Sequence, residues 1–133
     1  EWRRSGSLNS GTQQDWFQTI TTAIAVGTVT SDSNGNPVEA IFEVGENANG
    51  AYVRFAGGLQ VCWLRVASGA NPRTYTFPAQ FVGTPVVTGT PEHDASRSMT
   101  VNNITSTNAE IYTWATSAAS GVPANVIAIG FFD

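Results

Sequence analysis

The fold is indicated first by RTYTFPAQFVGTPVVTGTP, the segment Arg73–Pro91. Its aromatic residues Tyr75 and Phe77 alternate with threonines, which is the spacing of a half-buried strand. Pro78 lacks an amide hydrogen for the sheet ladder, so we expect this strand to end there. We expect Phe81, in the loop that follows, to fill one end of a hydrophobic core.

The segments downstream are also predicted to be short β-strands. A second strand is expected to begin after Pro85 and to fade at Gly89. Three further strand-like runs follow between clusters of Gly, Pro, Ser and Asn: MTVNNI (Met99–Ile104), AEIYTWA (Ala109–Ala115) and NVIAIGFF (Asn125–Phe132). Short segments of this kind, with no convincing helix between them, predict an all-β chain folded as an antiparallel β-sandwich or barrel.

Two strand regions are predicted upstream. VEAIFEV (Val38–Val44) alternates apolar residues with glutamates on a mostly one-sided strand, and GENANG (Gly45–Gly50) is typical of a turn. AYVRFAGGLQVCWLRV (Ala51–Val66) is the clearest hairpin, because Gly57 and Gly58 can take the positive φ angles of a tight turn. Its second strand is apolar on both faces, so we expect it to be covered on both sides.

Residues 1–37 are predicted to form a linker or neck that trimerises the chain or docks it to other proteins, and residues 38–133 the sandwich. EWRRSGSLNSG (Glu1–Gly11) is polar and rich in Gly and Ser. DWFQTITTAIAV (Asp15–Val26) fits either a strand or a short helix. The chain begins at Glu1 without a signal peptide, so we expect it to be the end of a longer or processed polypeptide.

Charged residues make up only 12% of the 133 residues, well below the usual share for a soluble domain. This composition is typical of extracellular or virion β proteins, and we expect part of the surface to be buried against identical chains. The net charge of −4, without a single lysine, predicts no nucleic-acid binding, and no segment predicts membrane insertion. Cys62 lies in an apolar strand, which predicts a buried, inert thiol.

The strand AEIYTWA has two distinct faces. One face carries residues suited to a core: Ala109, Ile111 and Thr113. The other would bring a carboxylate and two aromatic rings together on the outside: Glu110, Tyr112 and Trp114. A subunit interface, a ligand-binding shelf and accidental exposure are all open interpretations of this outer face.

His93 is the only histidine and lies between Glu92 and Asp94. Neighbouring residues on a loop do not all point at one metal ion, so we expect a solvated or receptor-contacting loop and no metal site. The carboxylates that could form a glycosidase pair are Glu92, Asp94 and Glu110. The sequence has no nucleophile elbow, phosphate-binding loop or dinucleotide fingerprint. We therefore expect neither catalysis nor a cofactor.

Two sequence blocks resemble the C-terminal domain of bacteriophage and prophage tail fibres. The first, GENANGAYVRFAGGLQVCW, runs from Gly45 to Trp63, with Gly57 where that family often has an acidic residue. The second is TYTFPAQFVGTPVV (Thr74–Val87). The resemblance covers residues 38–133 and implies a receptor-binding protein of the virion that attaches the particle to its host.

The second half, Tyr75–Ile129, is also similar to the H-type lectins, which are trimeric antiparallel β-sandwiches that bind sugars near the subunit boundary. The shared features are an F-x-x-x-F-x-x-x-P-x-V opening and a strand containing Y-T-W, here Tyr112–Trp114. This likeness implies that Trp114 stacks near a sugar and that Arg97 donates hydrogen bonds to it. The lectins carry histidine directly after the tryptophan, where this chain has Ala115.

Taken together, these resemblances imply a homotrimeric, lectin-like knob that binds a polysaccharide or lipopolysaccharide on the host surface. The carbohydrate-binding residues that we predict are Arg97, Trp114, Tyr112, Asp94, His93 and Asn103. Two alternatives stay open: a structural virion fibre component that trimerises and docks to other tail proteins, and a free bacterial lectin of the H type.

Overall fold

The computed structural model describes residues 25–34 and 38–133, and this part of the chain is built from β-strands. Nine strands follow in order: β1 (Phe42–Asn47), β2 (Gly50–Phe55), β3 (Leu59–Val66), β4 (Arg73–Thr76), β5 (Val82–Pro91), β6 (Ser98–Asn102), β7 (Asn108–Ala115), β8 (Ala118–Ala119) and β9 (Ala124–Phe131). All pairings between these strands are antiparallel. The prediction of an all-β chain with antiparallel sheets is confirmed.

The strands form two sheets. The larger has the order β1-β2-β3-β9-β5, and the smaller has the order β4-β7-β6 with β8 paired to β7. Buried residues from both sheets and from the loop after β4 make one core: Cys62, Val66, Tyr75, Phe77, Phe81, Ala109, Ile111, Ala124, Val126 and Ala128. This shared core is consistent with the predicted β-sandwich.

Three aromatic rings lie at the centre of that core. Tyr75 packs edge to face against Phe77, and Phe77 packs in the same way against Phe81, with ring centroids 5.1 Å apart in both contacts. Phe81 is 2% exposed although it lies in the loop between β4 and β5. Its predicted role in filling the core is confirmed.

Strand β5 differs from the sequence expectation at both ends. It begins at Val82, before Pro85, and it continues past Gly89. Its register against β9 shifts between Val82 and Val86, and Gly83 in this interval has a φ of 77°. The irregularity keeps Pro85 out of the regular ladder, so the strand accommodates a residue that has no amide hydrogen.

Strand β1 also lies differently from the expectation. It begins at Phe42 and includes residues 45–47, which the sequence predicts as part of a turn. The side chain of Asn47 accepts a hydrogen bond from the amide of Asn49 at 2.8 Å, and Asn47 pairs with Gly50. Because this contact closes a two-residue turn, residues 45–47 remain free to pair with β2.

The apolar side of β1 faces outward. Val44 is 60% exposed, whereas the side chain of Glu43 is only 16% exposed. The Glu43 carboxylate accepts hydrogen bonds from the Tyr52 hydroxyl at 2.8 Å and from the Val29 amide at 3.1 Å, and it lies 3.7 Å from Arg54. Because these partners satisfy the carboxylate, this corner of the interior is polar.

The predicted hairpin is formed by β2 and β3. Gly57 and Gly58 in its turn have φ angles of 101° and 92°, which confirms their predicted conformation. Cys62 is fully buried, as predicted, and burial raises the pKa of its thiol. On the opposite face of β3, Trp63 is 42% exposed, so the residues that the structure describes do not give the expected cover on both sides.

Residues 27–30 lie alongside residues 38–42. Three backbone hydrogen bonds of 3.1 to 3.3 Å join the two segments, and Val29 is 4% exposed. These contacts extend across the predicted boundary at residue 37. The rest of the predicted neck, residues 1–24 and 35–37, lies outside the described residues.

Candidate functional site

The candidate site is the outer face of β6 and β7, which we call the β6–β7 ledge. Strand pairing places three outward pairs side by side along it: Ser98 with Trp114, Thr100 with Tyr112 and Asn102 with Glu110. The alternate residues of β7 are fully buried in the core: Ala109, Ile111 and Thr113. The predicted two-faced character of β7 is confirmed, and its inner residues fix the outer side chains on a rigid sheet.

Two parallel aromatic rings lie at the centre of the ledge. The rings of Tyr112 and Trp114 are inclined by 3°, with their centroids 6.0 Å apart. The indole N–H of Trp114 donates a hydrogen bond to the Thr100 hydroxyl at 2.9 Å, which holds the edge of the ring against β6. The rings border a shallow depression of about 380 Å³ whose other walls include Thr100 and Asn102.

A carboxylate lies beyond the rings at one end of the ledge. One oxygen of Glu110, Oε2, accepts hydrogen bonds from the Asn103 side chain at 2.8 Å and from the Tyr112 hydroxyl at 3.1 Å. The bond to Glu110 raises the pKa of Tyr112 above its ordinary value. Asn103 has a φ of 45° at the end of β6, a conformation that asparagine tolerates well. The turn therefore positions its amide beside the carboxylate.

Arg97 lies at the opposite end of the ledge. Its guanidinium donates to the Ser120 hydroxyl at 3.0 Å and to the carbonyl of Ser96 at 2.9 Å, and it lies 3.4 Å from His93 Nε2. A second depression, of about 210 Å³, is lined by Ser96, Arg97, Ser98 and Thr116. The arginine is thus held by neutral oxygens, and its positive charge has no carboxylate partner among the residues that the structure describes.

The loop after β5 directs Glu92 away from His93 and Asp94, which lie next to each other. The Asp94 side chain is 96% exposed, with Oδ1 lying 2.9 Å from His93 Nδ1. Glu92 binds Arg65 at 2.7 Å and Asn125 at 2.8 Å, and both partners belong to the larger sheet. Within residues 25–34 and 38–133, no group of three His, Cys, Asp or Glu side chains could hold a metal ion.

The six predicted site residues therefore fall into three groups. Tyr112 and Trp114 form the centre, Asn103 lies at one end, and His93, Asp94 and Arg97 lie at or beyond the other. Because a strand rises about 3.3 Å per residue, the two ends of the ledge are on the order of 20 Å apart. One small ligand does not span this distance, so the structure does not bring all six residues together.

Sequence reasoning missed two polar residues that line the ledge between its ends, Thr100 and Asn102, and it missed Ser120, which accepts a hydrogen bond from Arg97 at one end. A signal for two of them was available. Thr100 and Asn102 alternate with Met99 and Val101 in the predicted strand, so they had to face outward if the apolar residues faced the core.

No protein-family model, no curated protein and no solved structure matches this chain. The resemblances to tail-fibre domains and to H-type lectins therefore stay predictions. Within the described ranges, no helix is long and apolar enough to cross a membrane.

Proposed function

We propose that this chain is the receptor-binding tip of a phage or phage-derived tail fibre and that it attaches the virion to the host surface by binding carbohydrate on the β6–β7 ledge. The observation that carries the proposal is the pair of parallel rings, Tyr112 and Trp114, set in an open depression between hydrogen-bonding side chains. The motifs in Gly45–Trp63 and Thr74–Val87 supply the tail-fibre context.

The chemistry of the ledge suits a sugar. An aromatic face offers an apolar plate to the C–H groups of a pyranose ring. The Trp114 N–H is already bonded to Thr100, so the indole contributes its face and not its edge to a ligand. Hydroxyl groups of the sugar would meet Asn102 and Glu110 on one side and Arg97 on the other, through directed hydrogen bonds.

The shape of the ledge favours a chain of sugars over a single one. Its polar groups are spread over roughly 20 Å along β6, so an extended polysaccharide segment would use more of them than one ring can. We expect each site to bind weakly, with a Kd of about 1 mM, which corresponds to about −4 kcal/mol. Three copies of the knob and several fibres per particle would raise avidity by roughly 10²- to 10⁴-fold.

The test is binding of the purified chain to a panel of bacterial capsule and lipopolysaccharide fragments, followed by titration of the best fragment. Replacing Trp114 by alanine should abolish binding, and Trp114→Phe, which keeps a flat ring, should retain part of it. Far-ultraviolet circular dichroism and thermal melting establish that each variant is folded. Equal binding by wild type and a folded Trp114→Ala variant would reject the ledge as the site.

A second candidate function is a structural fibre component that associates with itself and docks to other virion proteins through residues 1–37. The observation that favours it is the exposed apolar outer face of the larger sheet. A chain that assembles into oligomers but binds none of the host glycans would support this candidate over the first.

A further inference from the structure

The outer face of the five-stranded sheet carries a row of aliphatic side chains that crosses every strand. Strand pairing puts five β-branched residues in register: Val44, Val53, Val61, Ile129 and Val86. The two edge positions are widely open, with Val44 60% and Val86 71% exposed. A row of this kind across five strands is a flat, continuous apolar surface and not a set of isolated exposed residues.

The rows on either side extend the surface. One contains Ala51, Trp63, Ile127 and Thr88. In the other, Phe42 pairs with Phe55, and Leu59 and Val82 both pair with Phe131. Phe131 is 58% and Trp63 42% exposed. We call these three rows the apolar sheet face. Its position on the larger sheet puts it on the opposite side of the sandwich from the β6–β7 ledge.

Charged groups are confined to the margin of the apolar sheet face. Glu46 lies at one corner, next to Ala51. At the far end of the central strands, Arg65 pairs with Glu92 at 2.7 Å, and Asn125 donates to the same carboxylate at 2.8 Å. An apolar centre with a polar rim is the usual composition of a protein interface. Because the Arg65 charge is neutralised within its own chain, two such surfaces can meet without repulsion at this edge.

The size of the face is that of a stable interface. Strands lie about 4.8 Å apart and alternate residues about 6.8 Å apart, so five strands and three rows give a flat footprint on the order of 500 Å². This footprint is of the same order as the roughly 800 Å² per partner that a standard protein interface buries. A monomer of this length rarely leaves so much continuous apolar area in water.

We propose that the apolar sheet face is the surface through which copies of this chain associate, with the β6–β7 ledge left on the outside of the assembly. The partner is another copy of this chain because the face is flat, apolar at its centre and neutralised at its Arg65 edge, so copies arranged around a common axis can bury their apolar sheet faces together. The inference is independent of glycan binding and concerns a different sheet.

The experiment measures the mass of the full chain in solution by analytical ultracentrifugation. The wild type should sediment as a multiple of the chain mass. Val86→Glu and Ile129→Glu place a charge at two paired positions of the central row and should shift the mass to that of one chain. The matched control is Thr76→Glu, an exposed threonine on β4 of the other sheet that pairs with Asn108, which should leave the mass unchanged. A monomeric wild type, or variants that keep the wild-type mass, would overturn the proposal.

A second measurement covers the case in which the charged variants do not fold. Val86→Cys adds a small thiol at the most open position of the row, while the native Cys62 is buried and unreactive. A polar maleimide should label the new thiol slowly at high protein concentration and faster on dilution. Labelling that is fast at every concentration would contradict the proposal. Slow labelling in a chain that sediments as a monomer would also contradict it and would assign the face to residues 1–24 of the same chain.

Discussion

Trp114 and Thr100 join two neighbouring strands by a hydrogen bond of 2.9 Å between the indole N–H and the hydroxyl oxygen. The bond fixes the plane of the indole, which lies nearly parallel to the Tyr112 ring. When a ligand stacks on it, a fixed ring loses less conformational entropy than a ring that is free to rotate. Thr100 is therefore a positioning residue for the aromatic centre of the proposed glycan site.

Replacing Thr100 by valine should weaken glycan binding. The side chains have the same shape, but valine cannot accept a hydrogen bond from the indole N–H, so the ring is no longer held in its binding orientation. Because the bond exists with and without ligand, the cost to binding is at most the worth of that bond, about 1 kcal/mol, or a rise in Kd of up to roughly fivefold. The measurement is titration of the best-binding glycan by NMR. Thr76→Val is the matched control, since Thr76 is exposed on β4, pairs with Asn108 and makes no bond to either ring. Unchanged affinity in Thr100→Val would show that the bond has no role in orienting the ring.

Arg97→Ala should affect long glycans more than short ones. Arg97 lies at one end of the ledge, on the order of 20 Å from Asn103 at the other, so only an extended ligand reaches both the arginine and the far end. The comparison is the Kd of a monosaccharide and of an oligosaccharide from the same glycan. Arg97→Lys, which keeps a positive charge at that end of the ledge, serves as the matched control and should retain more of the affinity for the oligosaccharide than Arg97→Ala. An equal loss for both ligands would contradict an extended binding mode.

Tyr75→Phe should stabilise the protein. The Tyr75 hydroxyl is fully buried and has no hydrogen-bond partner among the described residues. An unpaired buried hydroxyl costs about 1 to 3 kcal/mol, so removing it should raise the free energy of unfolding by about 1 kcal/mol. Urea denaturation near neutral pH measures the change. The control is Tyr52→Phe, which removes the hydroxyl that donates a hydrogen bond to Glu43 and should therefore lower the free energy of unfolding.

Alkaline pH should destabilise the fold through Tyr75 and Cys62. Burial raises the pKa of both groups above their ordinary values of 10.0 and 9.0. The folded chain therefore keeps protons that the unfolded chain releases, and the free energy of unfolding falls as pH rises above 9.0. Below that pH, Tyr75 and Cys62 are protonated in both the folded and the unfolded chain, so they do not make the free energy of unfolding depend on pH. The free energy of unfolding, measured by denaturation at several pH values in this range, should fall less steeply with pH for Tyr75→Phe than for the wild type. An identical slope would contradict a contribution from Tyr75.

Period-two alternation in the sequence determined the elements that carry the core. Tyr75 in β4, Phe77 just after the end of β4, and Ala109 and Ile111 in β7 are buried as their spacing predicts. The tight turn between β2 and β3 could also be predicted from its glycine pair, because few other residues adopt the positive φ angles of this turn. These features depend on neighbouring residues alone, so the sequence is sufficient to predict them.

Which face of a strand lies inside was decided by the tertiary structure. In β1 the alternation separates Val44 from Glu43, but Glu43 is the residue that faces inward, because Tyr52 and Arg54 on the next strand supply its partners. The same holds for the ledge, where strand register brings Thr100 to Trp114 across fourteen positions of sequence. Local spacing fixes two faces and their residues, whereas the choice between them depends on partners that only the folded chain brings within hydrogen-bonding distance.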